Sequence, residues 1–147
     1  MMTKDEIRLM LRSIPDVRAA DFNQPTEADW VSLEATFNTR FPPEFKAFIE
    51  LMAEFSFPGD IYNVTSAGQT NGNDSIMTVY ANEKSSSSWP ERLVPFYGIG
   101  NGDYFALGVD DGAVYYRYHE DQCVEKYSAS FDEWLRRLPS FMNGDPN

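Results

Sequence analysis

From Val94 to His119 the chain reads VPFYGIGNGDYFALGVDDGAVYYRYH, and this stretch constrains the fold more than any other. Gly98, Gly100 and Gly102 fall within five residues and separate an apolar run from a period-2 alternation. Phe105, Leu107 and Val109 take one side and Tyr104, Ala106 and Gly108 the other, the pattern of a half-buried strand. Asp110-Asp111-Gly112 supplies the positive-φ position of a tight hairpin, and Ala113 to His119 resumes as a second strand rich in Val and Tyr. The same glycines invite a phosphate-binding reading, but such a site needs a helix N-terminus behind the loop, and here a strand follows. No Lys-Ser or Lys-Thr follows the glycines, and Asp103 would repel a phosphate. Gly100, Gly102 and Asp103 are therefore read as a structural turn, with the Asp103 side chain accepting backbone N–H bonds in it. No nucleotide or other cofactor is expected.

Helical signals flank this region. Thr3 and Glu6 form a capping box ahead of Ile7, Met10, Leu11 and Ile14, and Pro15 stops the helix. A linker runs to Pro25. Thr26 with Asp29 opens a second helix carrying Trp30, Leu33 and Phe37, and Pro43 starts a third, to about Glu54, with Phe45, Phe48, Ile49 and Met52 inward. Ile61 to Val64 reads as a short strand, and TSAGQTNGND as a polar loop turning at Asn71-Gly72. Residues 74–84 suit helix or strand by composition; the spacing of Ile76, Val79, Tyr80 and Glu83 favours helix. Leu93 to Tyr97 is a strand, QCVEKYS adds another, and Ser130 with Glu133 caps a last helix ended by Pro139. The order predicts an α+β fold: N-terminal helices, an antiparallel sheet of about four to six strands, and a closing C-terminal helix.

At 147 residues and 42% hydrophobic, the chain suits one domain over 1–147, with 1–25 a helix and linker and 140–147 a flexible tail. Trp30, Phe48, Phe105, Leu107 and Trp134 are expected in one core. No run approaches a membrane span, and the charged start lacks a signal peptide's apolar segment, so a cytoplasmic protein is expected. On that reading the sequons at Asn63 and Asn73 have no secretory route. The net charge is −11, and Asp103 to Glu133 holds eight carboxylates against Arg117 and Lys126. That balance argues against nucleic acid or an anionic membrane and favours a basic protein partner. Asp110 and Asp111 at the hairpin tip, with Glu120 and Asp121 at its open end, are the expected steering groups.

Catalytic signals are sparse. His119 has no partner pattern, and Cys123 four residues on offers no recognisable dyad or oxyanion site. His119, Glu120, Asp121 and Cys123 match no zinc spacing, and Asp110-Asp111-Gly112 is no calcium loop, so no metal is expected. A carboxylate hydrolase is the remotest of the functional readings.

The blocks LEATFNTRFPPEFKAFIELM, DSIMTVYANE, WPERLVPFYGIGNGDYFAL, AVYY and ASFDEWLRRL, in that order from about Trp30 to Leu138, resemble the Smi/Knr-type domain of the SUKH superfamily. The resemblance implies a highly curved antiparallel sheet. For bacterial members it implies a non-catalytic immunity protein that binds and neutralises a cognate toxin domain, such as a nuclease; fungal relatives are regulatory adaptors of cell-wall synthesis. One departure from the family pattern is LGVDDGAV, where Gly108 in mid-strand suggests a bulge. Tyr62, Tyr97 and Tyr104, on the expected concave side, are the candidate aromatic anchors for the partner. The chain itself is expected as a monomer or weak homodimer.

Overall fold

Four of the five described helices begin where a Thr or Ser side chain takes over an unpaired N–H of the first turn. In the computed structural model, which describes residues 1–64 and 73–144, Thr3 and Glu6 close a capping box on α1 (Lys4–Arg12). After β1 (Arg18–Ala19), Thr26 and Asp29 do the same for α2 (Glu27–Phe37), and α3 (Pro43–Leu51) starts on Pro43. The strands β2 (Phe55–Ser56) and β3 (Asp60–Ile61) follow. Ser75 then accepts the Thr78 N–H and begins α4 (Ile76–Ser86), so residues 74–84 are helical for most of their length.

The remainder is β4 (Leu93–Gly98), β5 (Tyr104–Gly108), β6 (Val114–Arg117), β7 (Val124–Ser128) and α5 (Phe131–Met142). Strands β3 to β7 pair in sequence order as a five-stranded antiparallel sheet, so the chain is α+β as expected. In such a meander the β4–β5 and β6–β7 turns share one end of the sheet, and the β5–β6 loop lies at the other.

Four sequence expectations are corrected. The stretch expected as a linker contains β1, which pairs with β2 in a separate two-stranded sheet. Pro139 does not end α5: the helix runs on to Met142, because Phe141 packs on the Phe105 ring with centroids 5.0 Å apart and holds the last turn in place. Glu133 accepts the N–H of Ala129 at 2.6 Å instead of that of Ser130, so only the Ser130 half of the expected capping box forms. Register is regular at Gly108, opposite Leu93, and the sheet's irregularities fall at Phe96 and Tyr127 instead. Gly108 is glycine for packing: a Cβ there would lie 2.5 Å from Asp111 Oδ1 and 2.8 Å from the Tyr115 ring. The Asn71-Gly72 turn lies outside the described residues.

One face of the sheet meets α3 and α5 through an aromatic cluster. Phe96 packs edge-on against Trp134 at 5.0 Å and Phe45 at 5.7 Å, and Phe48 against Trp134 at 5.4 Å. Trp30, Phe48, Phe105, Leu107 and Trp134 all belong to this one buried cluster. The opposite face carries a smaller cluster of Trp89, Leu93 and Ala106, edged by Tyr80, Tyr104 and Tyr115.

Candidate functional site

The Phe96 bulge decides which tyrosines face solvent. Pro95 pairs with Ala106 and Tyr97 with Phe105, so Phe96 is the extra residue, next to a proline that has no N–H to give the ladder. Phe96 and Tyr97 both turn into the main core, where Tyr97 stacks on Phe105 and donates its hydroxyl to the Pro58 carbonyl at 2.8 Å. At 2% exposure Tyr97 has no surface to offer a partner, and burial pushes its hydroxyl up to about 12. Tyr62 is also buried, its hydroxyl lying where any side chain at Gly98 would clash with it. Burial, with Tyr104 and Asp60 nearby, holds its pKa far above the ordinary tyrosine value. Tyr104 is half-buried, packs edge-on against Trp89 and donates to Glu83 Oε2 at 2.9 Å. Burial first, then that bond, raises it to about 12.

Glu83 leads to a polar network under α4 that the sequence did not announce. Arg117, 1% exposed, donates to Ser87 Oγ at 2.9 Å, approaches Glu83 Oε1 at 3.7 Å and lies over the Trp89 ring at 5.3 Å. Its alternation with Tyr116 places it, like Tyr115, off the core face, which in a one-sided sheet means solvent. Here Trp89 and the end of α4 cover that face, and burying the guanidinium requires the bonds they supply.

The acidic residues split between the two ends of the sheet. At the β5–β6 loop, Arg92 donates to Asp110 Oδ1 from both Nε and Nη2, at 3.1 and 3.0 Å. The same guanidinium reaches the Phe37 carbonyl at the end of α2 at 2.6 Å. Asp111 accepts from the Tyr115 hydroxyl at 2.5 Å and the Ala113 N–H at 3.0 Å, with Lys126 at 3.7 Å. Partial burial opposes its ionisation, but these partners outweigh it and hold the carboxyl below the ordinary aspartate value. Both carboxylates are exposed yet answered by a cation.

At the other end Asp103 pins two turns together. Its Oδ1 accepts the His119 N–H and its Oδ2 the Tyr116 hydroxyl, each at 2.7 Å. It does not cap the glycine turn: Asn101 does, accepting the Asp103 N–H at 2.9 Å, while Gly100 and Gly102 take φ of +101° and +94°. The His119 ring lies against Gly102, where a Cβ would meet its Cγ at 2.8 Å. Asp121 accepts the Cys123 N–H at 3.0 Å, and Glu120 and Cys123 are exposed. The Tyr118 hydroxyl donates to Glu125 Oε2 at 3.1 Å. Among the described residues, no cation pairs with Asp103, Glu120, Asp121 or Glu125, and no three His, Cys, Asp or Glu side chains gather closely enough to hold a metal ion.

A meander with Asp103 locking its Gly-Asp turn, between Pro-started and Ser-capped helices, is thus built from the blocks that carry the family resemblance. Residues 5–139 match the SUKH_5 family model, described as SMI1-KNR4 cell-wall. The chain belongs to this family. SUKH/SMI1-KNR4 proteins are typically immunity proteins of polymorphic toxin systems and generally non-catalytic. No curated protein matches the chain. No helix among the described residues is long and apolar enough to cross a membrane.

Proposed function

We propose that this SUKH/SMI1-KNR4 protein is an immunity protein that acts in the cytoplasm by binding a cognate toxin domain and occluding it, without chemistry of its own. The observation that carries this reading is the family match, which spans 5–139 of 147 residues. The site geometry supports it. Asp103, the carboxylate best placed to serve a reaction, has both oxygens engaged in holding turns together, and His119 contributes its backbone N–H to the same lock. The net charge of −11 suits a basic toxin such as a nuclease, with steering in place of nucleic-acid or membrane contact. Repulsion between copies of like charge favours a monomer, or at most a weak homodimer.

A second reading, a regulatory adaptor, draws on the words cell-wall in the family description. Gene context and stoichiometry separate the two. Any toxin-like domain found encoded beside this gene is co-expressed with the chain, and growth is followed as the molar ratio rises. Immunity predicts rescue that saturates near one to one and co-purification of an unmodified toxin. Rescue at strongly substoichiometric amounts with a chemically altered toxin, or no rescue beside a housekeeping neighbour, removes it.

A further inference from the structure

Resting on the immunity reading, we infer that the partner inserts an arginine or lysine side chain at one end of the sheet, against Tyr116, Tyr118 and Glu125, with Asp103, Glu120 and Asp121 around it. The antiparallel register sets Tyr116 directly opposite Glu125, so both stand on the face that α5 covers further along. Tyr118 follows on the same face, its ring 4.8 Å from that of Tyr116. At 37% exposure it is one of few large apolar side chains in solvent, and Glu125 beside it is exposed as well. Its hydroxyl donates to Oε2 of Glu125, and among the described residues no cation pairs with that carboxylate. Two tyrosine rings and the carboxylates of Glu125, Asp103 and Asp121 therefore share this end of the sheet, where no described cation pairs with them. Asp110 and Asp111, at the far end, already have Arg92 and Lys126.

The same sheet face shows what fits. Two residues along β7 from Glu125, the Arg137 guanidinium lies 4.0 Å over the Tyr127 ring and donates to the Tyr127 carbonyl. A cation set on a tyrosine face is attracted by the ring quadrupole, and a carboxylate at the ring's edge adds a charge-assisted bond. Tyr116 and Tyr118 offer rings on that same face, and Glu125 supplies beside them the carboxylate that the Arg137 site lacks. The bond from the Tyr118 hydroxyl to Glu125 raises its pKa, and the charges of Glu125, Asp103 and Asp121 add to that. A second copy of this chain is a poor occupant, because its charge of −11 is repelled by the patch.

The test uses the full chain and an octapeptide alternating glycine with arginine, followed by amide chemical-shift mapping at low salt. Shifts concentrated at Asp103, Tyr116, Tyr118 and Glu125 are expected, and the Tyr118→Ala, Glu125→Gln double variant should bind about tenfold more weakly. Asp110→Asn with Asp111→Asn should change affinity less than about twofold. The Tyr118→Ala, Glu125→Gln variant should melt within a few degrees of the parent because both side chains are exposed, whereas Asp110→Asn with Asp111→Asn should melt lower while staying folded, because it weakens the bonds to Arg92, Tyr115 and Ala113. Shifts centred on Asp110 and Asp111, or equal losses in both variants, overturn the assignment. Binding to a toxin domain found encoded next to this gene then distinguishes the docking site from the immunity function. If the parent binds it and the Tyr118, Glu125 variant binds equally well, the docking site is wrong and immunity stands. If the parent does not bind it, immunity fails, and the peptide map judges the surface alone.

Discussion

Asp103 illustrates how one side chain can fix two turns that are distant in sequence. Hydrogen bonds to a charged acceptor contribute roughly 1.5 to 3 kcal/mol each, and Asp103 makes two, at partial exposure. Asp103→Ala should therefore cost about 2 to 3 kcal/mol, measured by urea denaturation. Asp103→Asn should cost less, because its amide oxygen still accepts from His119 and the Tyr116 hydroxyl can reverse its bond. Equal losses for the two would mean that charge, not hydrogen bonding, holds the turn. Gly98 gives a steric counterpart. A methyl group there runs into the Tyr62 hydroxyl inside a buried strand, so Gly98→Ala should lose about 1 to 3 kcal/mol. Pairing it with Tyr62→Phe should recover part of that loss. No recovery would place the strain on the backbone instead.

Among the elements, α5 tests how far tertiary packing overrides local sequence. Pro139 removes one helical N–H and disfavours the preceding turn, which is why a stop there is the natural reading. The helix continues because its last turn has partners: Phe141 on Phe105, and Met142 beneath the Tyr97 hydroxyl. Phe141→Ala should fray this turn and cost about 2 to 4 kcal/mol, while Trp134→Ala, wholly buried against Phe96 and Phe48, should cost about 3 to 5. Amide exchange at 140–142 would rise in the first variant and throughout α5 in the second; unchanged exchange in Phe141→Ala would make the last turn self-sufficient. The rest of what was legible follows the same division. Helix starts were readable because Thr3, Thr26 and Ser130 act on neighbours three residues away. The β5–β6 pair was readable because Phe105 and Leu107 alternate with Tyr104 and Ala106. The bulge at Phe96 was not, since it depends on how Pro95 meets Ala106 ten residues or more downstream, and with it went the expectation that Tyr97 faces a partner. The same holds for Arg117, whose burial comes from Trp89 and α4, elements that alternation within β6 does not report.

At the scale of the whole molecule, the tyrosines tie stability to alkaline pH. Tyr62, Tyr97 and Tyr104 are raised chiefly by burial, Tyr115 chiefly by its bond to Asp111 and Tyr116 by burial with Asp103. A raised phenol pKa means that the folded chain holds the proton more tightly than the unfolded one. The stabilisation is complete below the unfolded value of about 10 and is lost as pH rises through the folded values near 12 and above. Each group protonated only in the folded state removes about 1.4 kcal/mol per pH unit, so the buried pair Tyr62 and Tyr97 alone removes about 3. A typical domain has about 5 to 15 kcal/mol in total. The protein should thus unfold cooperatively between about pH 11 and 12, with tyrosinate absorbance rising in step with the loss of helical circular dichroism. Absorbance that instead climbs smoothly around pH 10, with the helices intact, would mean that the Tyr62 and Tyr97 hydroxyls are open to hydroxide. That outcome would undo their placement in the core and return both rings to the surface as candidates for the partner.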